Sequence, residues 1–384
     1  MSSPKKLVLL GATGSIGDNT LKVIRKHPDK IELIGISAHQ QVEKLFAIAE
    51  EFKVPLACLS KPPKEKVNPP SNTQLLADPN SLEELAALEE ADIVVVAVVG
   101  AAGLLPTLSA LRAGKDVVLA NKESLVVGGE IVIETAKEYG ARIIPADSEH
   151  NAVFQCIQGQ DERAIESIIL TASGGPFREL PIDQLANVTI EQALRHPNWS
   201  MGKKITVDSA TMANKGLELI EARWLFDVAP EQLEVVIHPP SLVHAIVRFI
   251  DGCCLAQMTP TSMTFALQNA IFFPERHKGV EPSLDFSQPL DFSFSPPSLD
   301  RYPCLRLAIE SMKQAGSAPL IFNAANEIAV DAFLRNRIGF LDIPRIIETT
   351  LDNSNHITTN SVDDLLSLDA EIRQSAKIRV EQLG

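Results

Sequence analysis

The sequence predicts a mixed α/β protein in three parts: an N-terminal α/β domain with a parallel sheet (residues 1–147), a central α+β domain (148–272) and, after a linker (273–300), a C-terminal helical bundle (301–384). Three observations carry this. Residues 6–146 alternate short Val/Ile/Leu runs with amphipathic helical periods, the signature of βαβ units. From residue 147 the strand-like runs follow one another closely, with one long helical pattern among them. Beyond about residue 303 only helical periods remain. The chain has 384 residues, of which 45% are hydrophobic, enough to bury more than one core.

The first six strands are expected at "KLVLL", "IELIGIS", "PLACLS", "DIVVVAV", "DVVLA" and "ARIIPA". They are short, continuous and rich in branched side chains, as strands buried on both faces should be. Helical periods such as "VEKLFAIAEEF", "SLEELAALEE" and "GEIVIETAKEY" separate them. The segment "SKPPKEKVNPPSN" is a solvated loop, because its prolines prevent regular structure. In the central domain "AIESIILTAS", "LEVVIHP", "SLVHAIVRFI" and "GCCLAQM" read as strands, and "ANKGLELIEARWLF" as a helix. Residues 273–300 are rich in Pro, Ser and Phe without helical period. The stretches "CLRLAIESMKQA", "LIFNAANEIAVDAFLRN", "IPRIIETTLD" and "SVDDLLSLDAEIRQSAKIRVEQL" carry apolar stripes that a bundle would bury.

Composition excludes several classes. A net charge of -14 and 5% aromatic residues argue against a nucleic-acid partner. The five cysteines are odd in number and show no C-x-x-C spacing, which suits a reducing, cytoplasmic compartment. The most apolar stretch, "DIVVVAVVGAAGLLPTLSAL", is broken by glycines and a proline, so it reads as strand, loop and helix and not as a membrane span. The apolar run at the N-terminus is too short for a signal peptide.

After the first strand comes Gly11-Ala12-Thr13-Gly14-Ser15-Ile16-Gly17, leading into a helical period. Glycines let the backbone turn tightly and approach a pyrophosphate, which then rests on the positive end of the helix. In an alternating α/β pattern this points to a Rossmann-like dinucleotide-binding domain. An NAD site usually places an acid at the end of the second strand, on the ribose 2′-hydroxyl. Here the strand ends "GISAHQQ", without an acid, so a 2′-phosphate is not repelled and NADP is favoured. His39, Gln40 and Gln41 can donate hydrogen bonds there, or form a plain polar loop.

Asp147 and Glu149 follow the sixth strand in "PADSEHN". In an extended backbone their side chains share one side, where two carboxylates repel unless a cation lies between them. Hard cations such as Mg²⁺ and Mn²⁺ take oxygen ligands and leave positions open for substrate. A third acid is available in "VDSATMANKGLELIEARW": Asn214, Lys215 and Glu218 share one helical face, with Ser209 and Thr211 before them and Gly216 among them. The bland reading is a surface Lys–Glu pair. The functional one is a face that grips phosphate and metal. "TASGGPF" ends a strand with Ser173-Gly174-Gly175, whose hydroxyl and backbone amides suit an anion or simply make a turn. "RHPNWSMG" places His196, Trp199, Met201 and Gly202 in an irregular segment that serves as a lid over substrate or as a hydrophobic plug. "LANKES" sets Asn121, Lys122 and Glu123 at a strand's C-terminal end, where such sheets hold their ligands. His150, His238 and His244 also lie near strand ends, where structural histidines are common.

On these residues alone, an NADP-dependent dehydrogenase of a phosphorylated hydroxy-carbonyl compound and a dinucleotide-sensing regulatory protein without catalysis both stay open. The stretches "GATGSIG", "VVGAAGLLPTLSAL", "LANKESLV", "DSEHNAVFQ", "SGGPFRE", "RHPNWSMG", "VDSATMANKGLE" and "NAANEI", in this order and over nearly the whole chain, resemble the 1-deoxy-D-xylulose 5-phosphate reductoisomerase family. The resemblance implies a homodimeric, cytoplasmic enzyme of non-mevalonate isoprenoid synthesis. It would use NADPH and a divalent metal, Mg²⁺ or Mn²⁺ with Co²⁺ as a further option. Its substrate would be a phosphorylated sugar, converted to 2-C-methyl-D-erythritol 4-phosphate.

By similarity, Asp147, Glu149 and Glu218 would hold the metal and, with Lys122, form the catalytic set. Lys122, Ser148, Glu149, Ser173, His196, Ser209, Asn214, Lys215 and Glu218 would contact substrate, and His196, Trp199 and Met201 would belong to the lid. Thr13, Gly14, Ser15, Ile16, Gln41, Asn121, Glu123 and Gly202 would bind NADPH. One departure stands out. Relatives often carry Gly, then Lys or Arg, then Asn after the second strand. This chain has His39-Gln40-Gln41, with no formal charge to meet a 2′-phosphate.

Overall fold

A computed structural model of the chain describes residues 3–63, 65–357 and 361–383; of the loop expected around residues 60–72, Lys64 lies outside the described residues. In chain order the elements are β1 (Lys5–Leu10), α1 (Ser15–Lys26), β2 (Ile31–Ala38), α2 (Val42–Phe52), β3 (Leu56–Leu59), β4 (Gln74–Leu76), α3 (Ser81–Ala86), β5 (Ile93–Val96), α4 (Leu104–Arg112), β6 (Asp116–Leu119), α5 (Lys122–Tyr139), β7 (Ile143–Pro145) and α6 (Ser148–Cys156). There follow β8 (Ile165–Ala172), α7 (Ile190–Ala193), α8 (Lys203–Thr211), α9 (Ala213–Leu225), β9 (Leu233–Ile237), β10 (Val243–Phe249), β11 (Cys254–Met258) and α10 (Met263–Phe272). The last helices are α11 (Pro303–Gln314), α12 (Ala318–Leu334), α13 (Asp342–Asp352) and α14 (Val362–Leu383). The chain divides into two compact units, one of residues 1–124, 132–151 and 262–283, the other of residues 125–131, 152–261 and 284–384.

The first unit is built on a parallel, seven-stranded sheet in the order β4-β3-β2-β1-β5-β6-β7. The expected parallel α/β sheet is therefore present, extended by β4, a three-residue edge strand too short to leave a sequence pattern. Leu7–Leu10 and Val94–Val96 are wholly buried, which explains why β1 and β5 read as unbroken apolar runs. The chain leaves β1 toward β2 and later returns to its other side as β5. The loop after β1 thus lies at the point where strand order reverses, the place where such sheets open a ligand crevice. Gly11 has φ +87°, and a Cβ there would meet the Ala97 carbonyl oxygen at 2.4 Å. At Gly17 a Cβ would meet the Ala12 carbonyl oxygen at 2.4 Å, so this glycine lets α1 lie close against the turn. The helix α10 completes this unit; the Lys5 ammonium donates to the Ile271 carbonyl at 2.7 Å.

The second unit holds a four-stranded sheet in the order β11-β10-β8-β9. Strand β10 runs antiparallel to β8 and β11, while β8 and β9 are parallel. Helices α11–α14 belong to the same unit, with α11 packed on α9 and α12 on α8. Gly216 belongs to that packing: a Cβ on it would stand 2.3 Å from the Ala308 Cβ. An exposed helix would avoid glycine, but here it allows two helices to approach closely. The buried Tyr302 hydroxyl donates to the Gly174 carbonyl at 2.9 Å and fixes the turn after β8. Among the described residues, no helix is long and apolar enough to cross a membrane.

Candidate active site

In the first unit, the C-terminal ends of β6 and β7 carry the polar residues. Asn121 caps α5: its side-chain oxygen accepts from the Ser124 amide at 3.0 Å. Its Nδ2 donates to the carbonyls of Val98 (3.1 Å) and Gly100 (2.9 Å) and to Glu123 Oε2 (3.0 Å). One buried amide thereby ties the loop after β5 to the start of α5. Gly103 leaves room for it, because a Cβ there would meet Asn121 Oδ1 at 2.3 Å. Lys122, the next residue, is buried, and its Nζ lies 2.9 Å from Asp147 Oδ2.

The local structure at "PADSEHN" differs from the expectation. The extended backbone ends at Pro145, and Ser148 opens α6, so Glu149 sits in a first helical turn. Asp147 acts as the cap, its Oδ1 accepting from the Glu149 amide at 3.2 Å and its carbonyl from the Asn151 amide at 2.8 Å. An acid before a helix stabilises the orphan amides of the first turn, and this drives the helix to start there. The capping turn, and not strand alternation, brings a carboxylate oxygen of Asp147 within 4.8 Å of one of Glu149. Ser148 Oγ donates to Glu149 Oε2 at 2.6 Å. His150 is fully buried with Nδ1 3.9 Å from Asp147 Oδ1, and Asn151 Nδ2 donates to the Pro145 carbonyl at 2.9 Å.

The glycine loop of this unit is shaped to receive an anion. Gly14 is the N-cap of α1 and makes no side-chain cap hydrogen bond to the first amides of the helix, which at a helix N-terminus can receive an anion. A Cβ at Gly14 would make only an ordinary contact, 3.5 Å from the Gly11 carbonyl oxygen. The packing of the protein itself therefore does not require a glycine there. Thr13 is buried, its carbonyl held at 3.0 Å by Lys44, while Gly14 and Ser15 are exposed and Ile16 half-buried. Gln41 is the exposed N-cap of α2.

In the second unit a histidine joins two serines. His196 Nε2 lies 3.0 Å from Ser173 Oγ and 3.0 Å from Ser209 Oγ. Its Nδ1 accepts from the amides of Asn198 (3.2 Å) and Trp199 (2.9 Å). With Nδ1 engaged as an acceptor, the neutral ring carries its proton on Nε2, directed at the serines. Burial, with the nearby Arg178 charge, pushes the His196 pKa down to about 4, so the ring is neutral near pH 7. Gly175 allows this gathering. It has φ +69°, and a Cβ would meet the Ser209 carbonyl oxygen at 2.7 Å. Its amide is already committed to Ser173 Oγ at 3.1 Å, so of the anion-binding groups expected in this turn the Gly175 N–H is spent internally.

Helices α8 and α9 meet at Met212, a left-handed residue (φ 61°). Beyond it Asn214 and Lys215 both donate to Glu218, one to each carboxylate oxygen. The shared face expected from the spacing is present, but it is buried: Lys215 is 3% and Glu218 1% exposed, which excludes an ordinary surface pair. Trp199 and Met201 are half-buried, with the Trp199 ring 6.2 Å from that of His244. Gly202 caps α8, accepting from Thr206.

Sequence reasoning missed Arg178, whose guanidinium donates to the Ser173 carbonyl at 3.3 Å, and Asn198, which bonds Pro239 and Ser241. Asp208 was missed as well. It precedes Ser209, is buried, and is held by Lys204 at 2.8 Å and Asn326 at 3.0 Å. The "NAANEI" stretch that supplies Asn326 was the available signal, since a polar pair inside an apolar helical period calls for a buried partner.

Three family models match this chain: the 1-deoxy-D-xylulose 5-phosphate reductoisomerase model over residues 7–129, the C-terminal domain of that enzyme over residues 143–226, and the DXP reductoisomerase C-terminal domain over residues 258–375. A 1-deoxy-D-xylulose 5-phosphate reductoisomerase of Aeromonas hydrophila is 47% identical over 98% of this chain and 99% of its own length. That of Ralstonia pickettii is 45% identical over 97% of this chain and 96% of its own. A solved DOX-P reductoisomerase in complex with NADPH, fosmidomycin and magnesium superposes with a TM-score of 0.92 at 41% identity, covering 99% of both chains. The Zymomonas mobilis enzyme in complex with NADPH gives 0.90 at 40% identity, over 99% of this chain and 100% of that one. The chain is an enzyme of the 1-deoxy-D-xylulose 5-phosphate reductoisomerase family.

Proposed function

We propose that the protein rearranges 1-deoxy-D-xylulose 5-phosphate and reduces the resulting aldehyde with NADPH, giving 2-C-methyl-D-erythritol 4-phosphate for non-mevalonate isoprenoid synthesis. The observation that carries this reading is the pair of carboxylates, Asp147 and Glu149, turned toward each other by a helix cap beside the buried Lys122. We assign Asp147, Glu149 and Glu218 as ligands of a divalent ion. All-oxygen donors suit Mg²⁺ or Mn²⁺, and a solved relative is in complex with magnesium. When bound, the ion supplies a Lewis acid for the substrate's carbonyl and hydroxyl oxygens, and NADPH supplies the hydride.

The chain's own groups do the rest. Lys122 holds Asp147 and offers Nζ–H to the reacting oxygens. Ser148 orients Glu149. The neutral His196 donates from Nε2, so together with Ser173, Ser209 and Asn214 it binds phosphate oxygens by hydrogen bonds, while Lys215 supplies the positive charge. Binding energy at the phosphate, remote from the reacting carbons, is available for orienting the substrate under a lid that carries His196, Trp199 and Met201. Thr13, Gly14, Ser15, Ile16, Gln41, Asn121, Glu123 and Gly202 are assigned to the dinucleotide. The reading is tested by following NADPH absorbance with 1-deoxy-D-xylulose 5-phosphate, with and without EDTA, and identifying the product by NMR. A branched carbon chain is expected; an unbranched reduced product would point to a simple dehydrogenase instead.

A cytoplasmic homodimer is part of the same proposal. Five free cysteines fit a reducing compartment. Strand β11 is a sheet edge with Leu255 and Met258 exposed, and such edges are normally covered. Light scattering of the wild type and of Leu255→Lys tests it: a dimer is expected for the first and a weakened one for the second.

A further inference from the structure

In a nucleotide-binding sheet of this kind the adenosine ribose reaches the C-terminal end of the second strand, where an acid or a cation distinguishes its 2′-substituent. In this chain the turn after β2 is His39-Gln40-Gln41, which carries no fixed charge. Strand β3 lies parallel beside β2, with Ala38 paired to Leu59. The pairing continues past both strands: the Ser60 amide donates to the Ala38 carbonyl at 3.0 Å and the Lys61 amide to the His39 carbonyl at 3.0 Å. This register sets Lys61 directly alongside the turn. Its Nζ is 3.5 Å from Gln40 Oε1, and His39 Nδ1 is held at 3.0 Å by Ser60 Oγ.

We propose that Lys61, from the end of β3, is the cation that recognises the 2′-phosphate of NADPH in this chain, with His39 and Gln40 as neutral hydrogen-bonding partners. The inference rests on the dinucleotide reading above and names the residue that sets its specificity. Three observations favour Lys61 over other lysines. Among the described residues no ion pair holds it, whereas Lys44 is bound by Asp18 at 2.8 Å and by the Thr13 carbonyl. It precedes Pro62, which disfavours helical backbone at Lys61, in keeping with a segment that continues past β3 beside that turn. The β2–β3 register fixes it against the turn that this fold uses for the ribose, while Lys66 lies farther along the loop.

The test is calorimetric titration of the full-length chain with NADPH, NADH, 2′,5′-ADP and 5′-AMP, for wild type, Lys61→Ala and Lys61→Arg. Losing one charge-assisted contact should weaken NADPH and 2′,5′-ADP by about tenfold in Lys61→Ala. NADH and 5′-AMP, which lack the phosphate, should be unchanged, and Lys61→Arg should retain most of the preference. Because Lys61 is exposed, the variant keeps its fold. Unaltered discrimination in Lys61→Ala overturns the proposal. Equal wild-type affinity for NADPH and NADH also overturns it, yet leaves the dinucleotide reading intact. Binding of neither dinucleotide defeats that reading and the proposal with it.

Discussion

Replacing Gly175 by alanine should damage substrate binding without touching the cofactor. The added methyl would stand 2.7 Å from the Ser209 carbonyl oxygen and 2.9 Å from the Ala210 Cα, both backbone atoms that cannot rotate away. Restoring the 3.4 Å of ordinary contact requires α8 and the turn after β8 to separate by about 0.7 Å. The residue would also hold φ +69°, which costs a non-glycine residue about 1–2 kcal/mol. Strain from overpacking adds about 1–3 kcal/mol. The separation falls on the two serines that His196 bridges at 3.0 Å on each side, and one of those bonds would be lost. Displacements of this size in a binding constellation cost one to two orders of magnitude. We expect KM for 1-deoxy-D-xylulose 5-phosphate to rise at least about tenfold, Tm to fall, and the NADPH dissociation constant to stay within about twofold. Steady-state kinetics, thermal melting and NADPH titration read the three quantities. A variant that melts lower but keeps its KM would refute the claim that Gly175 sets the serine–histidine geometry.

Further outcomes follow from the same geometry. Glu218→Gln should fold and bind NADPH normally, yet lose about a hundredfold or more in kcat at saturating Mg²⁺; near-normal turnover would remove Glu218 from the metal set. Lys215→Ala should raise the substrate KM far more than the NADPH dissociation constant, and equal losses in both would count against a phosphate role. For His196, the folded-state pKa of about 4 lies below the ordinary value of 6.5. The unfolded chain therefore binds the extra proton first, and stability contributed by the neutral ring is present above about pH 6.5 and lost as pH falls through 4. Urea titrations between pH 7 and 4 should show a shallower pH dependence for His196→Gln than for the wild type, and identical slopes would contradict the assignment.

How much was legible beforehand depended on whether the signal was local. The parallel sheet could be read because strands buried on both faces must be continuously apolar, as Leu7–Leu10 and Val94–Val96 are. The shared face of Asn214, Lys215 and Glu218 followed from helical spacing. The helix that starts at Ser148 was not legible, since its driving force is one side-chain cap on a segment with few apolar residues. The glycine at 175 read equally well as a turn, and the one at 216 as an interruption. Each is explained by an atom far along the chain, Ser209 in one case and Ala308 in the other.

The sequence by itself determined the fold class, the glycine loop and the helical face shared by Asn214, Lys215 and Glu218, because these depend on residue type and short-range period. Tertiary structure alone decided that Lys215 and Glu218 are buried, that His196 bridges two serines as a neutral ring, and that Lys61 runs beside a turn lacking charge. Those properties arise from strand register and helix packing between segments distant in sequence, and no local pattern encodes them.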